Sequence, residues 1–182
     1  KISIIYSGTR STDKMLSVIK KIIKDSGSEV ISSANIKKLN KVFKKNASKS
    51  DLILVLGGDG TMIGSIRSLH NLNIPFLGVN LGTVGFLTDL SISKIEGLKE
   101  IINGNYIKES RPVFETFSED SKKEIFLNEV VIHSGSVTKM LEIELSIQNQ
   151  VIYSLKADGL IISSSTGSTA YSYSGGGPII SP

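Results

Sequence analysis

Residues 52–61 read LILVLGGDGT, a short apolar run that stops abruptly in three glycines, one carboxylate and a threonine. The run has the length and composition of a buried strand. Met62, Ile63, Ile66 and Leu69 follow at helical spacing, so Gly57–Thr61 sits at a helix N-terminus. Such a terminus offers free N–H groups and partial positive charge to a phosphate. Glycines at 57, 58 and 60 remove the Cβ atoms that would hold a ligand off the backbone and permit φ > 0 where the turn needs it. A tight strand-to-helix connection with an exposed aspartate carries the same short signature, so its meaning depends on the rest of the chain.

That rest begins as alternating strands and helices. Ile2–Tyr6 is a β-branched run closed by Ser7-Gly8. From Asp13 to Ser26, Met15, Leu16, Ile19, Ile22 and Ile23 share one helical face, with Ser11 or Thr12 available as N-cap and Gly27 as the stop. A second strand is expected over Glu29–Ser32 and a weaker helix over Leu39–Ala47. Ile74–Asn80 is a further strand and runs into Leu81-Gly82-Thr83-Val84-Gly85-Phe86-Leu87-Thr88-Asp89, a second glycine-bearing loop. In an open parallel sheet, loops at the carboxyl ends of strands converge on the ligand crevice, so the second loop strengthens the reading of the first as a site. Ile92 to Ile102 is predicted as a helix ended by Asn103-Gly104. The alternation argues an α/β layer with a parallel, Rossmann-like sheet.

Beyond Tyr106 the period changes. Leu141, Ile143, Leu145 and Ile147 alternate with Glu142, Glu144, Ser146 and Gln148, the period of two of a half-buried antiparallel strand. Asn149-Gln150 is expected to turn it, and Val151, Tyr153 and Leu155 continue the return. Residues 125–133 (IFLNEVVIH) read as one more strand, 160–163 as another, and no helix of useful length is evident. The expected division is residues 1–108 as an α/β domain carrying GGDGT and residues 109–182 as an all-β domain, incomplete in this chain.

Composition narrows the function classes. The chain has 182 residues, 40% of them hydrophobic, enough for a real core. It contains no cysteine, which excludes disulfides, thiolate metal sites and thiol nucleophiles. No apolar run approaches the ~20 residues of a membrane span, and Lys1-Ile2-Ser3 opens straight into a strand, so a cytoplasmic protein without membrane association is expected. The missing initiator Met and the ending at Ser181-Pro182 suggest a piece of a longer chain. The net charge of +4 would help steer an anionic small ligand. The lysines are scattered along helix faces without interleaved aromatics, which argues against nucleic acid. His70 and His133 have no partners at metal-ligand spacing.

Three polar clusters interrupt the β region: Asn128-Glu129 inside an apolar strand, Asp158-Gly159 before LIIS, and Thr166-Gly167-Ser168-Thr169-Ala170-Tyr171 running on to Ser172-Tyr173-Ser174-Gly175-Gly176-Gly177-Pro178. An ionised carboxylate in such a strand must find a partner or water, or shift its pKa. In this order, with GGDGT and the loop NLGTVGFLTD, the clusters resemble the NAD kinase family over essentially the whole chain. GGDGT alone is shared with diacylglycerol and sphingosine kinases and echoed in phosphofructokinases; the Asn-Glu pair and TGSTAY narrow it.

The resemblance implies an N-terminal α/β domain and a C-terminal β domain with NAD between them, in homodimers or homotetramers. The reaction it implies is transfer of the γ-phosphoryl of ATP, or of polyphosphate, to the 2′-hydroxyl of the adenosine ribose of NAD, with Mg²⁺ or another divalent cation. On that resemblance Asp59 is the catalytic carboxylate, with Gly57, Gly58, Gly60 and Thr61 around the phosphates and Gly60 also reaching NAD. Asn128 and Glu129 hold ribose hydroxyls and the phosphate region, while Phe86, Leu87 and Thr169 line the adenine pocket. Lys156, Asp158, Ala170, Tyr171 and Ser174 complete the NAD site. A ribose hydroxyl is a poor nucleophile until a positioned base accepts its proton, which suits a lone carboxylate in the glycine turn.

The chain departs from the family pattern at Ser165, where Pro is usual, at Gly175, where Ala is common, and at Lys156, where Arg often stands. Lys keeps the charge and loses the bidentate fork. Two alternatives stand beside the kinase reading, a lipid kinase of the diacylglycerol type and a non-catalytic NAD(P) sensor.

Overall fold

The computed structural model describes residues 1–82, 85–119, 122–135 and 139–182, with the backbone but not the side chain of Ser11. Residues 83 and 84 of the second glycine loop thus lie outside the described residues. The chain divides into two compact units, Lys1–Ser110 and Arg111–Pro182.

The first unit contains β1 (Ile2–Tyr6), α1 (Arg10–Asp25), β2 (Val30–Asn35), α2 (Lys41–Ala47), β3 (Leu52–Leu56), α3 (Asp59–Leu69), β4 (Phe76–Asn80), β5 (Leu90–Ser91) and α4 (Leu98–Ile102). Its five strands are parallel, in the order β2-β1-β3-β4-β5. Successive side chains of a strand point to opposite faces. Ile4, Leu54 and Leu56 accordingly pack with Ile19, Ile22 and Ile23 of α1 and Leu98 of α4. Ile5, Ile53 and Val55 pack on the other face with Phe43 of α2 and Met62 and Leu69 of α3. A sheet covered on both faces needs strands that are apolar at every position, which is why 52–56 does not alternate. Because β3 and β4 are neighbours and run in the same direction, the two glycine loops leave the sheet side by side.

The second unit is β-rich, as the period of two implies. Among its described residues it holds β6 (Phe114–Phe117), β7 (Lys123–Phe126), β8 (Glu129–His133), β9 (Leu141–Ile147), β10 (Gln150–Ala157), β11 (Gly159–Ser163) and a short α-helix, α5 (Tyr171–Ser174). The strands form three antiparallel pairs, β6-β7, β8-β11 and β9-β10.

Several local expectations are corrected. The first helix begins three residues early because Thr9, in extended backbone after Gly8 (φ +78°), caps it and accepts from the Thr12 amide. The second strand runs to Asn35 rather than Ser32, paired with β1 along its length. Ile92–Ile102 is not one helix: a 3₁₀ segment with a non-helical Lys94 precedes the single turn of α4. The hairpin turn is Gln148-Asn149, one residue earlier than expected, with φ of 51° and 64°. Two consecutive left-handed residues make a type I′ turn, whose twist matches the strands it joins. Finally, 125–133 is not continuous. It breaks at Leu127-Asn128 between β7 and β8, which pair with different partners.

Candidate functional site

In the first unit the site is built from the ends of β3 and β4. Leu56 delivers Gly57, whose amide still bonds to Val79 of the neighbouring strand (3.0 Å). Gly57 has φ +156°, and a Cβ there would lie 2.5 Å from the Thr61 hydroxyl oxygen, so the turn needs glycine at this point. Gly58 caps α3 without a side chain, and Asp59 is the first residue of the helix rather than part of the turn before it. Gly58 and Gly60 differ from Gly57: a Cβ at either would meet nothing within 4 Å. The fold does not require them bare, and their lack of side chains clears the approach to the helix N-terminus.

The Asp59 carboxylate faces the second glycine loop. Its Oδ2 accepts from the Phe86 amide (2.8 Å) and its Oδ1 from the Leu87 amide (3.0 Å). An ionised carboxylate has about four acceptor positions, so two remain for other donors. Gly85 makes the clamp possible, since a Cβ there would lie 2.7 Å from Asp59 Cγ. The loop is braced behind by buried polar groups: Thr88 Oγ1 accepts from the Gly85 amide (3.2 Å) and from Asn80 Nδ2 (3.2 Å), and Asn80 Oδ1 accepts from the Gly82 amide (2.9 Å). Asp59, Phe86 and Leu87 are therefore brought together. Asn80, Gly85 and Thr88 are braces that motif reading did not assign. The pairing of β3 with β4 was the signal for them.

In the second unit Asn128 and Glu129 stand at the break between β7 and β8, with Glu129 in register with Ser163 of β11. The backbone carbonyl of Asn128 accepts from the Ser164 amide (2.8 Å) and the Ser163 hydroxyl (3.3 Å), which carries the β8-β11 register one residue beyond Glu129. Asn128 Oδ1 and Glu129 Oε2 are both buried with no hydrogen-bond partner among the described residues. Burial pushes the Glu129 carboxyl above its ordinary value of 4.5. Two unsatisfied buried acceptors on consecutive residues are costly to keep, and a ligand rich in hydroxyl donors would satisfy them.

Thr166–Thr169 forms a 3₁₀ turn against this pair, and Gly167 approaches so closely that a Cβ would lie 2.6 Å from Asn128 Cα. Thr169 is exposed, Ala170 half-buried, and Tyr171 and Ser174 are exposed on α5, which Gly175 ends. Ser165 has φ −59°, the value a proline ring would impose, so the departure from Pro leaves the backbone as the family pattern needs it. A Cβ on Gly175 would meet the tip of Ile161 at 3.2 Å, a contact a flexible side chain can relieve. Lys156 is engaged elsewhere, in a cross-strand ion pair with Glu142 (2.8 Å) whose members are 68% and 79% exposed. Such pairs contribute little, roughly 0–1 kcal/mol. The exposed Asp158 follows β10, its carbonyl accepting from the Ser134 amide (3.3 Å).

Comparison with known proteins finds the same organisation. Residues 7–106 match the model of the ATP-NAD kinase N-terminal domain and residues 127–182 that of the C-terminal domain. The NAD kinase of Azotobacter vinelandii is 45% identical over 137 residues, 72% of this chain and 46% of that protein. That of Hahella chejuensis is 42% identical over 137 residues, again 72% of this chain and 46% of the relative. The chain thus spans about half the length of the curated relatives it matches. The fold is similar to that of yeast NADH kinase complexed with NADH, with a TM-score of 0.83 at 23% identity, covering 100% of this chain and 62% of that one. It is also similar to an NAD kinase from Archaeoglobus fulgidus in complex with ATP, with a TM-score of 0.77 at 24% identity, covering 100% and 67%.

Proposed function

From the premise that the chain belongs to the NAD kinase family, we propose that it forms the core of an enzyme that transfers the γ-phosphoryl of ATP to the 2′-hydroxyl of the adenosine ribose of NAD, giving NADP. The observation that carries this reading beyond family membership is the pair of buried acceptors, Asn128 Oδ1 and Glu129 Oε2, that have no partner among the described residues. A ribose presents adjacent O–H donors to such a pair, whereas an acyl chain presents none. Matches to both kinase domain models do not favour the lipid-kinase and sensor alternatives.

In this reading residues 1–108 supply the phosphate-side residues and three of the NAD-binding ones, Gly60, Phe86 and Leu87, and residues 109–182 supply the others. Asp59 uses the acceptor positions left free by the Phe86 and Leu87 amides to take the proton of the 2′-hydroxyl as the new P–O bond forms and the bond from the γ-phosphorus to the bridging oxygen breaks, releasing ADP. Gly57, Gly58, Gly60 and Thr61 receive the donor phosphates at the α3 N-terminus. Phe86, Leu87 and Thr169 flank the adenine, and Asp158, Ala170, Tyr171 and Ser174 flank the remainder of NAD, with Lys156 contributing charge at the edge.

Among the described residues no three His, Asp or Glu side chains cluster as a metal cage. That donor set suits Mg²⁺, which is typically held by one or two carboxylates and the substrate's phosphates. Asp59 and the Thr61 hydroxyl are the groups that would hold it beside the nucleotide, and when bound it neutralises phosphate charge. The active form is a cytoplasmic homo-oligomer, as is usual for the family; no helix among the described residues is long and apolar enough to cross a membrane.

The test is Glu129→Ala in the intact protein. Loss of a charge-assisted hydrogen bond costs about 1.5–3 kcal/mol, so the KM for NAD should rise roughly tenfold or more while that for ATP holds. A KM for ATP that rises instead would move Glu129 to the donor side.

The raised pKa of Glu129 gives a second expectation. Its ionised form is the better acceptor and is reached only above that raised value. The kcat/KM for NAD should therefore fall on acidification through that raised pKa, and Glu129→Gln should abolish that limb. Folding shows the opposite sign. The native state binds the proton more tightly than the unfolded chain, so stability is lost as pH rises from the unfolded to the folded pKa. An acid limb unchanged in the Gln variant would assign it to another group.

A further inference from the structure

We propose that Ser164, which the kinase reading leaves without a role, is a positioning residue that sets the Asn128-Glu129 pair against the 166–169 turn and so governs capture of the acceptor sugar. The proposal rests on the reading that Asn128 and Glu129 face that sugar.

Ser164 is 3% exposed. Its hydroxyl donates to the carbonyl of Leu127, the residue before the pair, and accepts from the amide of Gly167, in the turn (3.0 Å). Its own amide donates to the Asn128 carbonyl (2.8 Å). One short side chain thus bonds to both segments, and its backbone makes a third link. A serine hydroxyl has one proton and two lone pairs, so its donor and one acceptor position are committed here. The buried Ser168 hydroxyl makes a different set of bonds, to the carbonyls of Ser165 and Ile180 and from the Ile180 amide. It holds the turn to the following segment and not to Asn128.

The arrangement has a chemical purpose. Asn128 Oδ1 and Glu129 Oε2 have no partners of their own among the described residues, so no hydrogen bond to those atoms aims them. Their direction is set through the backbone, and Ser164 with the close contact of Gly167 is what fixes that backbone. Removing the hydroxyl leaves the Leu127 carbonyl and the Gly167 amide buried and unpaired, and the two segments can separate to reach water.

In the intact protein, Ser164→Ala should raise the KM for NAD about five- to twentyfold, with the KM for ATP and kcat held within about twofold. Ser164→Thr keeps the hydroxyl and should recover most of the loss. Equal rises in both KM values, or a Thr variant as poor as Ala, would overturn the proposal. The same measurements in a Glu129→Ala background separate the layers. If the effect of Ser164→Ala shrinks below about twofold there, Ser164 acts through the pair. Factors that simply multiply would sink the positioning role while leaving the acceptor site intact. A Glu129→Ala variant with an unchanged KM for NAD would remove the underlying reading, and the proposal with it. Should Ser164→Ala fail to fold, Ser164→Cys retains the volume with a weaker donor, and the same split decides.

Discussion

Replacing Asp59 with Asn should lower kcat by about 10²- to 10⁴-fold, the range that general-base assistance supplies, and should also raise the KM for NAD. The first effect follows from chemistry, since the amide cannot take the 2′-hydroxyl proton. The second follows from the two amides that Asp59 binds, those of Phe86 and Leu87. An Asn side chain keeps one acceptor oxygen and turns an NH₂ group toward the other amide, so two donors face each other. Losing a charge-assisted bond costs on the order of 1.5–3 kcal/mol, part of which appears as a displaced loop carrying Phe86 and Leu87. A tenfold rise in KM accompanying the collapse of kcat is the expected pattern. Near-native kcat would remove the base role, and a native KM would show that the clamp is dispensable for NAD binding.

Gly167→Ala should be the most destructive small change in the second unit. The added methyl would lie 2.6 Å from Asn128 Cα and closer still to its carbonyl group, backbone that the Ser164 amide and the Ser163 hydroxyl hold in place. Overpacking of this kind costs about 1–3 kcal/mol or more. For a chain of this size that is a fall in Tm of about 5–10 °C if the fold survives. The KM for NAD should rise well above tenfold, because the turn and the Asn128-Glu129 pair can no longer meet. Gly58→Ala is the matched control. Its Cβ meets nothing within 4 Å, so Tm should hold while activity falls. A Gly167→Ala protein with native Tm and KM would show that the close approach is not needed.

Much of this was legible in the residues, for identifiable reasons. The continuous apolar run at 52–56 announced a strand covered on both faces, and the period of two beyond residue 140 announced antiparallel pairs. GGDGT and Asn128-Glu129 stood out because glycine clusters and strand-embedded carboxylates are locally expensive. What escaped was set by contacts distant in sequence. The break at Leu127-Asn128 falls where the chain changes partner, β7 pairing with β6 and β8 with β11 some 35 residues on, and nothing in IFLNEVVIH marks it. Ser164 itself is one serine in a run of three, distinguished only by burial. Taken from sequence, Asp59 was a base in an open turn; its second task as a loop clamp needed the adjacency of β3 and β4.

That clamp ties the fates of two positions. Gly85 is crowded most by the Asp59 carboxylate and then by the Thr88 hydroxyl, so the demand for glycine there is imposed largely by a residue 26 positions earlier in the chain. A descendant that surrendered the carboxylate would still have the Thr88 hydroxyl 2.9 Å from a Cβ at 85, and one that grew a side chain there first would have the carboxylate pushed aside. The two sites form a ratchet: once a larger residue occupies position 85, a reversion at 59 alone no longer restores the enzyme.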